Sequence, residues 1–233
     1  MQKTFQSHLA EAAAAPLNMP VFLEGYEQVL ALVATAGTYH LHGLTIESPE
    51  GVYSPHETSS TRFFMDKFFA LGLDKPGGRI LEVGCGAGAI AIHAAKHGWD
   101  VSACDIDPAA VDATLRNAQT NGVHVDARQS DLFDAFGPDE LFDCIAFNQP
   151  FFHLDREIDV SERTLSDFGG RLYERFKADA RKHLKPGGYL VVAYSNCSNI
   201  EILNQPGWSL NLRAYDFDGG TNYIRALFVA RPV

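Results

Sequence analysis

The chain has 233 residues, 46% hydrophobic and 21% charged, which suffices for one packed core with an extension and is short for two independent cores. Its formal net charge of −10 gives no support to a sequence-independent grip on nucleic acid phosphates, which needs a basic field. Cys85, Cys104, Cys144 and Cys197 stand far apart without a CxxC pair, so they read as reduced core thiols and not as disulfides or zinc ligands.

In chain order, the opening "MQKTFQSHLAEAAAAPLNMP" holds no apolar run long enough for a secretory signal, and no later segment approaches membrane-spanning length. The expected compartment is the cytoplasm, with no membrane partner. "LEGYEQVLALVATAG" (23–37) has helical periodicity, and "YHLHGLTIESPEGVYS" (39–54) reads as two alternating strands around a Pro-Glu-Gly turn. Residues 1–60 are therefore expected to be an extension over the core and residues 61–233 the main domain. His40 and His42 lie two apart on one strand with no third ligand near in sequence, so no metal is expected.

From residue 78, short apolar runs alternate with helix-period segments, the pattern of β-α units and a mostly parallel sheet. "GRILEVG" is the first buried strand, "AGAIAIHAAKHG" a tightly packing helix stopped at Gly98, and "DVSACDID" the second strand. Asp107 then makes an N-cap with Pro108 at the first helical position, and Val111, Leu115 and Ala118 recur at helical spacing until Asn121-Gly122. "VHVDARQSD" and "LFDCIAFN" supply the third and fourth strands. Leu172, Phe176, Ala180 and Leu184 mark one helix face ended by "KPGG", after which "YLVVAYS" is the fifth strand. "WSLNLRAYDF" and "NYIRALFVARPV", joined by "DGGT", alternate as an antiparallel hairpin. The expected class is α/β, a three-layer sandwich around a mostly parallel seven-stranded sheet that ends in this hairpin, with a helix and hairpin at the N-terminus.

"ILEVGCGAGAIA" places Gly84, Gly86 and Gly88 between a strand ending near Glu82 and a helix start, where bare backbone and free N–H groups meet a ligand's polar atoms. Spacing alone also admits a dinucleotide fingerprint, with Ala89 in its last place and Asp105 at the ribose, as in a nicotinamide-dependent oxidoreductase. Glu82 before the glycines suits a cationic amino acid group and repels a pyrophosphate. The chain also leaves no room for a separate catalytic domain of a dehydrogenase.

Residues 78–132 resemble the class I S-adenosylmethionine-dependent methyltransferases, with their E/D-x-GxGxG turn and an acid ending the second strand. The resemblance implies a Rossmann-like core and S-adenosyl-L-methionine as cofactor. It implies that Glu82, Gly84, Gly86 and Gly88 hold the methionine part and Asp105 the ribose hydroxyls. Ile106 would pack on the adenine, with Asp131 and the Leu132 backbone at its amino edge. Asp107 reads as a helix cap and not as a ligand.

"FDCIAFNQPFFH" brings Asn148 to the end of the fourth strand, facing the crevice of Glu82 and Asp105. An amide oxygen suits holding an NH2 group with its lone pair toward a sulfonium methyl, and a flat ring such as Phe151 suits stacking on a planar acceptor. The stretch resembles the Asn-Pro-Pro-Tyr/Phe motif of methyltransferases that modify glutamine side chains or exocyclic base amines. Asn148, Pro150 and Phe151 match its first, third and fourth places and are the expected catalytic residues; Gln149 departs at the second. Gln149 and His153 are expected substrate contacts. "GLTIESPEGVYSPHETSSTRFFMDKF" is similar to the segment that covers the cofactor in the same relatives, which puts Tyr53, His56, Glu57 and Thr58 at the border of the site. "LSDFGGRLYERF" is similar to their region after the motif, and the charge run "DREIDVSER" reads as a solvated loop.

The expected activity is N-methylation of a small planar or amino-acid-derived acceptor. The acidic balance and the meagre extension argue against a nucleic acid partner. The alternatives are a protein glutamine or an RNA or DNA base as acceptor, or a catalytically silent cofactor-binding subunit.

Overall fold

The computed structural model describes residues 19–70, 72–73, 75–154, 164–168, 170–197, 206–220 and 222–233. In chain order these form α1 (Met19–Val33), β1 (Gly37–Leu41), β2 (Leu44–Ser48), α2 (Ser60–Ala70), β3 (Arg79–Val83), α3 (Ala89–Lys96), β4 (Asp100–Asp105), α4 (Pro108–Thr120) and β5 (Asp126–Gln129). There follow β6 (Phe142–Phe147), β7 (Phe152–Leu154), β8 (Ser166–Phe168), α5 (Arg171–Ala180), a 3-10 turn (Arg181–His183), β9 (Leu184–Ser195), β10 (Trp208–Asp218) and β11 (Tyr223–Pro232).

Successive strand residues point to opposite faces, and the sequence exploits this by making both faces apolar. Ile80, Val101, Cys144, Ala146 and Val191 pack on one side with residues of α2, α3 and α4. Leu81, Val83, Ile145, Phe147 and Leu190 pack on the other with Tyr173 and Phe176 of α5 and the 132–136 turn. The result is the expected three-layer sandwich.

Seven strands lie in the order β10-β11-β9-β6-β3-β4-β5 among the described residues. β3, β4, β5, β6 and β9 run parallel, and β11 is antiparallel to both β9 and β10. From β3 the chain winds outward through β4 and β5, then returns to place β6 on the other side of β3. That reversal opens a crevice at the carboxyl ends of the strands. Because Val83 pairs with Phe147, Gly84 and Asn148 leave their strands side by side.

Several local expectations need correction. The N-terminal hairpin turns at His42-Gly43, not at Pro-Glu-Gly: Leu41 pairs with Leu44, and His42 (φ 49°) and Gly43 (φ 74°) are both left-handed, as a twist-matched two-residue turn requires. Residues 60–70, unassigned in the sequence reading, are helical. Ser59 caps this helix by accepting the Arg62 N–H at 3.1 Å, and Phe63, Phe64 and Phe68 bury its inner face. Leu184 begins β9 and does not extend α5, because the 3-10 turn intervenes. β7 and β8 form a small parallel pair outside the main sheet, and α1 packs near them through Tyr26, whose ring meets Phe152 edge-on at 4.6 Å. The "DREIDVSER" run and the first 18 residues lie outside the described residues.

The hairpin β1–β2 is docked by two asparagines one turn apart on α4. Asn117 accepts the Glu47 N–H (3.0 Å) and donates to Glu47 O and Ala87 O (2.9 Å each). Asn121 accepts the Thr45 N–H (3.0 Å) and donates to Thr45 O (2.8 Å). Asn117→Ala leaves three main-chain groups without these partners, and each buried group so orphaned costs about 1–3 kcal/mol. The expected loss is about 3 kcal/mol, read as a lower urea midpoint at unchanged slope; a shift under about 1 kcal/mol would contradict it.

Candidate active site

The crevice contains a cavity of about 760 Å³, lined by the glycine turn, the ends of β4 and β6, Tyr53, His56, Thr58, Ser60 and Thr61 but not Glu57, and part of α1. The turn is shaped from behind by α4. Thr114 Oγ1 donates to Gly86 O at 3.0 Å and Asn117 to Ala87 O, so these carbonyls are drawn toward the helix. Gly88 has φ 81°, and a Cβ there would sit 2.7 Å from Thr114 Oγ1, so no other residue lets α4 approach this closely. Gly84 and Gly86 also adopt positive φ.

Glu82 is 3% exposed, and its Oε2 accepts the Ala91 N–H at the start of α3 (2.7 Å). Burial pushes its carboxyl well above the usual carboxylate range; the Ala91 bond opposes this and the charge of Asp105 adds to it. A cation against Glu82 would relieve that strain. Asp105 Oδ2 accepts the Gly86 N–H (2.9 Å) and Oδ1 the Asp107 N–H (3.1 Å), leaving each oxygen capacity for another donor. Burial raises its pKa as well, against the pull of the Gly86 and Asp107 bonds. Asp107 caps α4 through the Ala109 N–H at 2.8 Å.

On the cavity wall, Ile106 is 57% exposed, unusual for a large aliphatic side chain and suited to a flat apolar ligand face. Leu132 is held at φ 53°, a left-handed conformation that costs a branched residue about 1 kcal/mol and is typical of ligand-binding turns. Asp131 lines the cavity while its Oδ2 accepts from Arg175 at 2.9 Å.

Asn148 donates from Nδ2 to Ser60 Oγ (3.1 Å) and Thr61 Oγ1 (3.2 Å), whereas its Oδ1 is buried without a hydrogen-bond partner. Pro150 and Phe151 line the cavity, and Phe151 also belongs to the core. Gln149 lines it too but donates its Nε2 to Ala193 O of β9 at 3.0 Å. Tyr53 Oη accepts from the Ser60 N–H and from Ser60 Oγ, both at 3.4 Å. His56 Nδ1 lies 3.2 Å from Thr58 Oγ1, and its buried Nε2 has no partner. Burial lowers the pKa of His56 and the Arg225 charge adds to this, so the ring is neutral near pH 7. His153 falls on β7, and its side chain lies outside the described residues.

Ser60 and Thr61 escaped the sequence reading as site residues. The "TSSTRFF" run carries a helix-start signal, but nothing local tells which strand end that helix faces. His42 pairs with Asp66 at 2.7 Å and His40 Nδ1 lies 3.3 Å from Thr45 Oγ1. All four cysteines are free and buried, and burial raises their pKa values. Among the described residues, no helix is long and apolar enough to cross a membrane.

The family model of the methyltransferase small domain matches residues 43–206. A ribosomal RNA small subunit methyltransferase C from Chromohalobacter salexigens is 39% identical over 153 residues, covering 64% of this chain and 41% of that protein. A release factor glutamine methyltransferase from Streptococcus pneumoniae is 33% identical over 129 residues, covering 49% and 46%. The chain thus spans less than half the length of these curated relatives. Among solved structures, a T. thermophilus 16S rRNA N2 methyltransferase in complex with AdoMet and guanosine superposes with a TM-score of 0.64 at 20% identity, over 85% of this chain and 50% of that one. These findings overturn the expectation of a small-molecule acceptor without nucleic acid, because the relatives are named for ribosomal RNA and for a protein factor. Net charge averages over a whole surface and says nothing of one face, which is why it misled.

Proposed function

Since the chain belongs to the methyltransferase small domain family of class I S-adenosylmethionine-dependent enzymes, we propose that it methylates an exocyclic amine of a ribosomal RNA base. The unpaired Oδ1 of Asn148 carries this reading. It is a buried acceptor without a donor, on a residue that lines the cavity beside the glycine turn, and an incoming NH2 group would supply the missing hydrogen. A relative 39% identical and named for ribosomal RNA supports the acceptor class. A release factor glutamine is the second reading, favoured by a 33% identical relative.

The wall chemistry fits the cofactor. Glu82 suits its ammonium group, Asp105 its ribose hydroxyls, exposed Ile106 its adenine face, and Asp131 with the Leu132 backbone its amino edge. When bound, S-adenosylmethionine supplies an electrophilic methyl group. This chain's residues then position and exclude water: Asn148 orients the amine, Phe151 gives a flat surface, and α1 with the Tyr53–Thr58 segment covers the acceptor side. Ribosomes and their factors would place the protein in the cytoplasm.

The test is incubation with tritiated methyl donor and, separately, ribosomal subunits, protein-free ribosomal RNA and release factor. Nuclease-sensitive label that resolves to an N-methylated base is expected. Label confined to the release factor supports the second reading. Binding of S-adenosylhomocysteine with no label in any acceptor would overturn both in favour of a silent subunit.

A further inference from the structure

Resting on that reading, we propose that Tyr53, acting through Ser60, is a positioning residue that fixes which way the Asn148 carboxamide faces. A side-chain amide presents an acceptor on one side and two donors on the other, and the two faces have nearly the same shape. Packing alone therefore selects between them weakly; hydrogen accounting selects strongly. Ser60 spends its hydroxyl hydrogen on Tyr53 Oη, which also receives the Ser60 main-chain N–H. Toward Asn148, Ser60 Oγ is then only an acceptor, and Nδ2 supplies the donor at 3.1 Å. The second Nδ2 hydrogen goes to Thr61 Oγ1 at 3.2 Å. Both amide hydrogens are consumed, and Oδ1 is the amide atom left without a partner, on a residue that lines the cavity. Burial pushes the Tyr53 phenol up, so it stays neutral across the working pH range. The Arg225 guanidinium anchors the segment by donating to Thr58 O (2.9 Å) and Ser59 O (3.3 Å).

Without the Tyr53 oxygen, the Ser60 hydrogen turns toward Asn148, and the flipped amide, with its NH2 where Oδ1 now lies, becomes competitive. Turnover then scales with the fraction of molecules in the competent orientation. The experiment compares wild type with Tyr53→Phe, Ser60→Ala and Ser60→Thr. The Asn148 side-chain NH2 resonances, assigned by their loss in Asn148→Ala, report the orientation without any acceptor. Tyr53→Phe and Ser60→Ala are expected to shift this NH2 pair and speed its exchange with water at least about tenfold, while Ser60→Thr restores the wild-type signal. S-adenosylhomocysteine affinity, by calorimetry, stays within about twofold, and kcat on the labelled acceptor falls about tenfold with KM little changed. An unchanged NH2 pair in Tyr53→Phe would overturn the proposal whatever the acceptor is. Absent labelling with an altered NH2 pair would instead count against the acceptor reading alone.

Discussion

Replacing Asn148 by alanine is expected to lower turnover by about 10²–10³-fold while leaving S-adenosylhomocysteine affinity within about twofold. The residue sits past the end of β6 next to the glycine turn, but its amide is held by Ser60 and Thr61 of α2 and not by the turn. Removing it therefore leaves the groups proposed to hold the cofactor in place: Glu82 keeps Ala91, and Asp105 keeps Gly86. What disappears is the buried, unpartnered Oδ1, the acceptor proposed to orient an amine in line with the methyl group. A single preorganised hydrogen-bonding group at a reacting centre is worth about 3–4 kcal/mol, which sets the expected factor. Asn148→Asp is the informative companion, since a carboxylate keeps an acceptor toward the cavity but loses the donors to Ser60 and Thr61. Single-turnover rates and calorimetry on the same preparations make the comparison; alanine rates within threefold of wild type would remove Asn148 from the chemistry.

The second large effect concerns Glu82 and is a matter of protons. Burial raises this carboxyl in the cofactor-free protein, so below that raised value the group is protonated. A bound ammonium group favours the ionised form and lowers the pKa, and binding then expels a proton. Affinity for S-adenosylhomocysteine should rise as pH increases from the ordinary carboxylate range and level off once Glu82 is ionised before binding. Calorimetry in two buffers of different ionisation enthalpy would register the released proton on the rising limb and none on the plateau. Glu82→Gln keeps an oxygen for the Ala91 N–H but cannot ionise, so its affinity is expected to be about 10–100-fold weaker on the plateau, the worth of a charge-assisted bond. Its pH dependence should also be flat. A Glu82→Gln profile parallel to wild type would assign the titration to another group, Asp105 being next in line because burial raises it too.

The parts of this molecule legible in its sequence are those whose signal is local. Asp107 before Pro108 announced a helix start, short apolar runs between helical segments announced a sheet buried on both faces, and three glycines after Glu82 announced a tight strand-to-helix turn of positive φ. Tertiary partners were not legible. Asn121 read as a helix terminator, and nothing near it or Asn117 in the chain reveals that β2, more than 65 residues earlier, is their partner. The Pro-Glu-Gly stretch looked more turn-like than His42-Gly43 on composition, yet the two-residue loop with paired positive φ matches strand twist better. Ser60 and Thr61 carry no chemistry of their own, and their part in holding Asn148 exists only because α2 ends up beside β6.

The docking of β2 on α4 has a consequence for how such a protein can diversify. Four residues of helix advance about 6 Å and two residues of extended chain about 6.6 Å, so a pair of amides one helical turn apart meets alternate peptide units of a strand in step. Asn117 and Asn121 engage only main-chain atoms of Glu47 and Thr45. Beyond the buried Leu41, Leu44 and Ile46, attachment is thus indifferent to which side chains the hairpin displays outward. Mutational drift can rewrite the exposed positions of β1 and β2 without loosening the joint, whereas inserting one residue between the two asparagines would throw the whole seam out of phase.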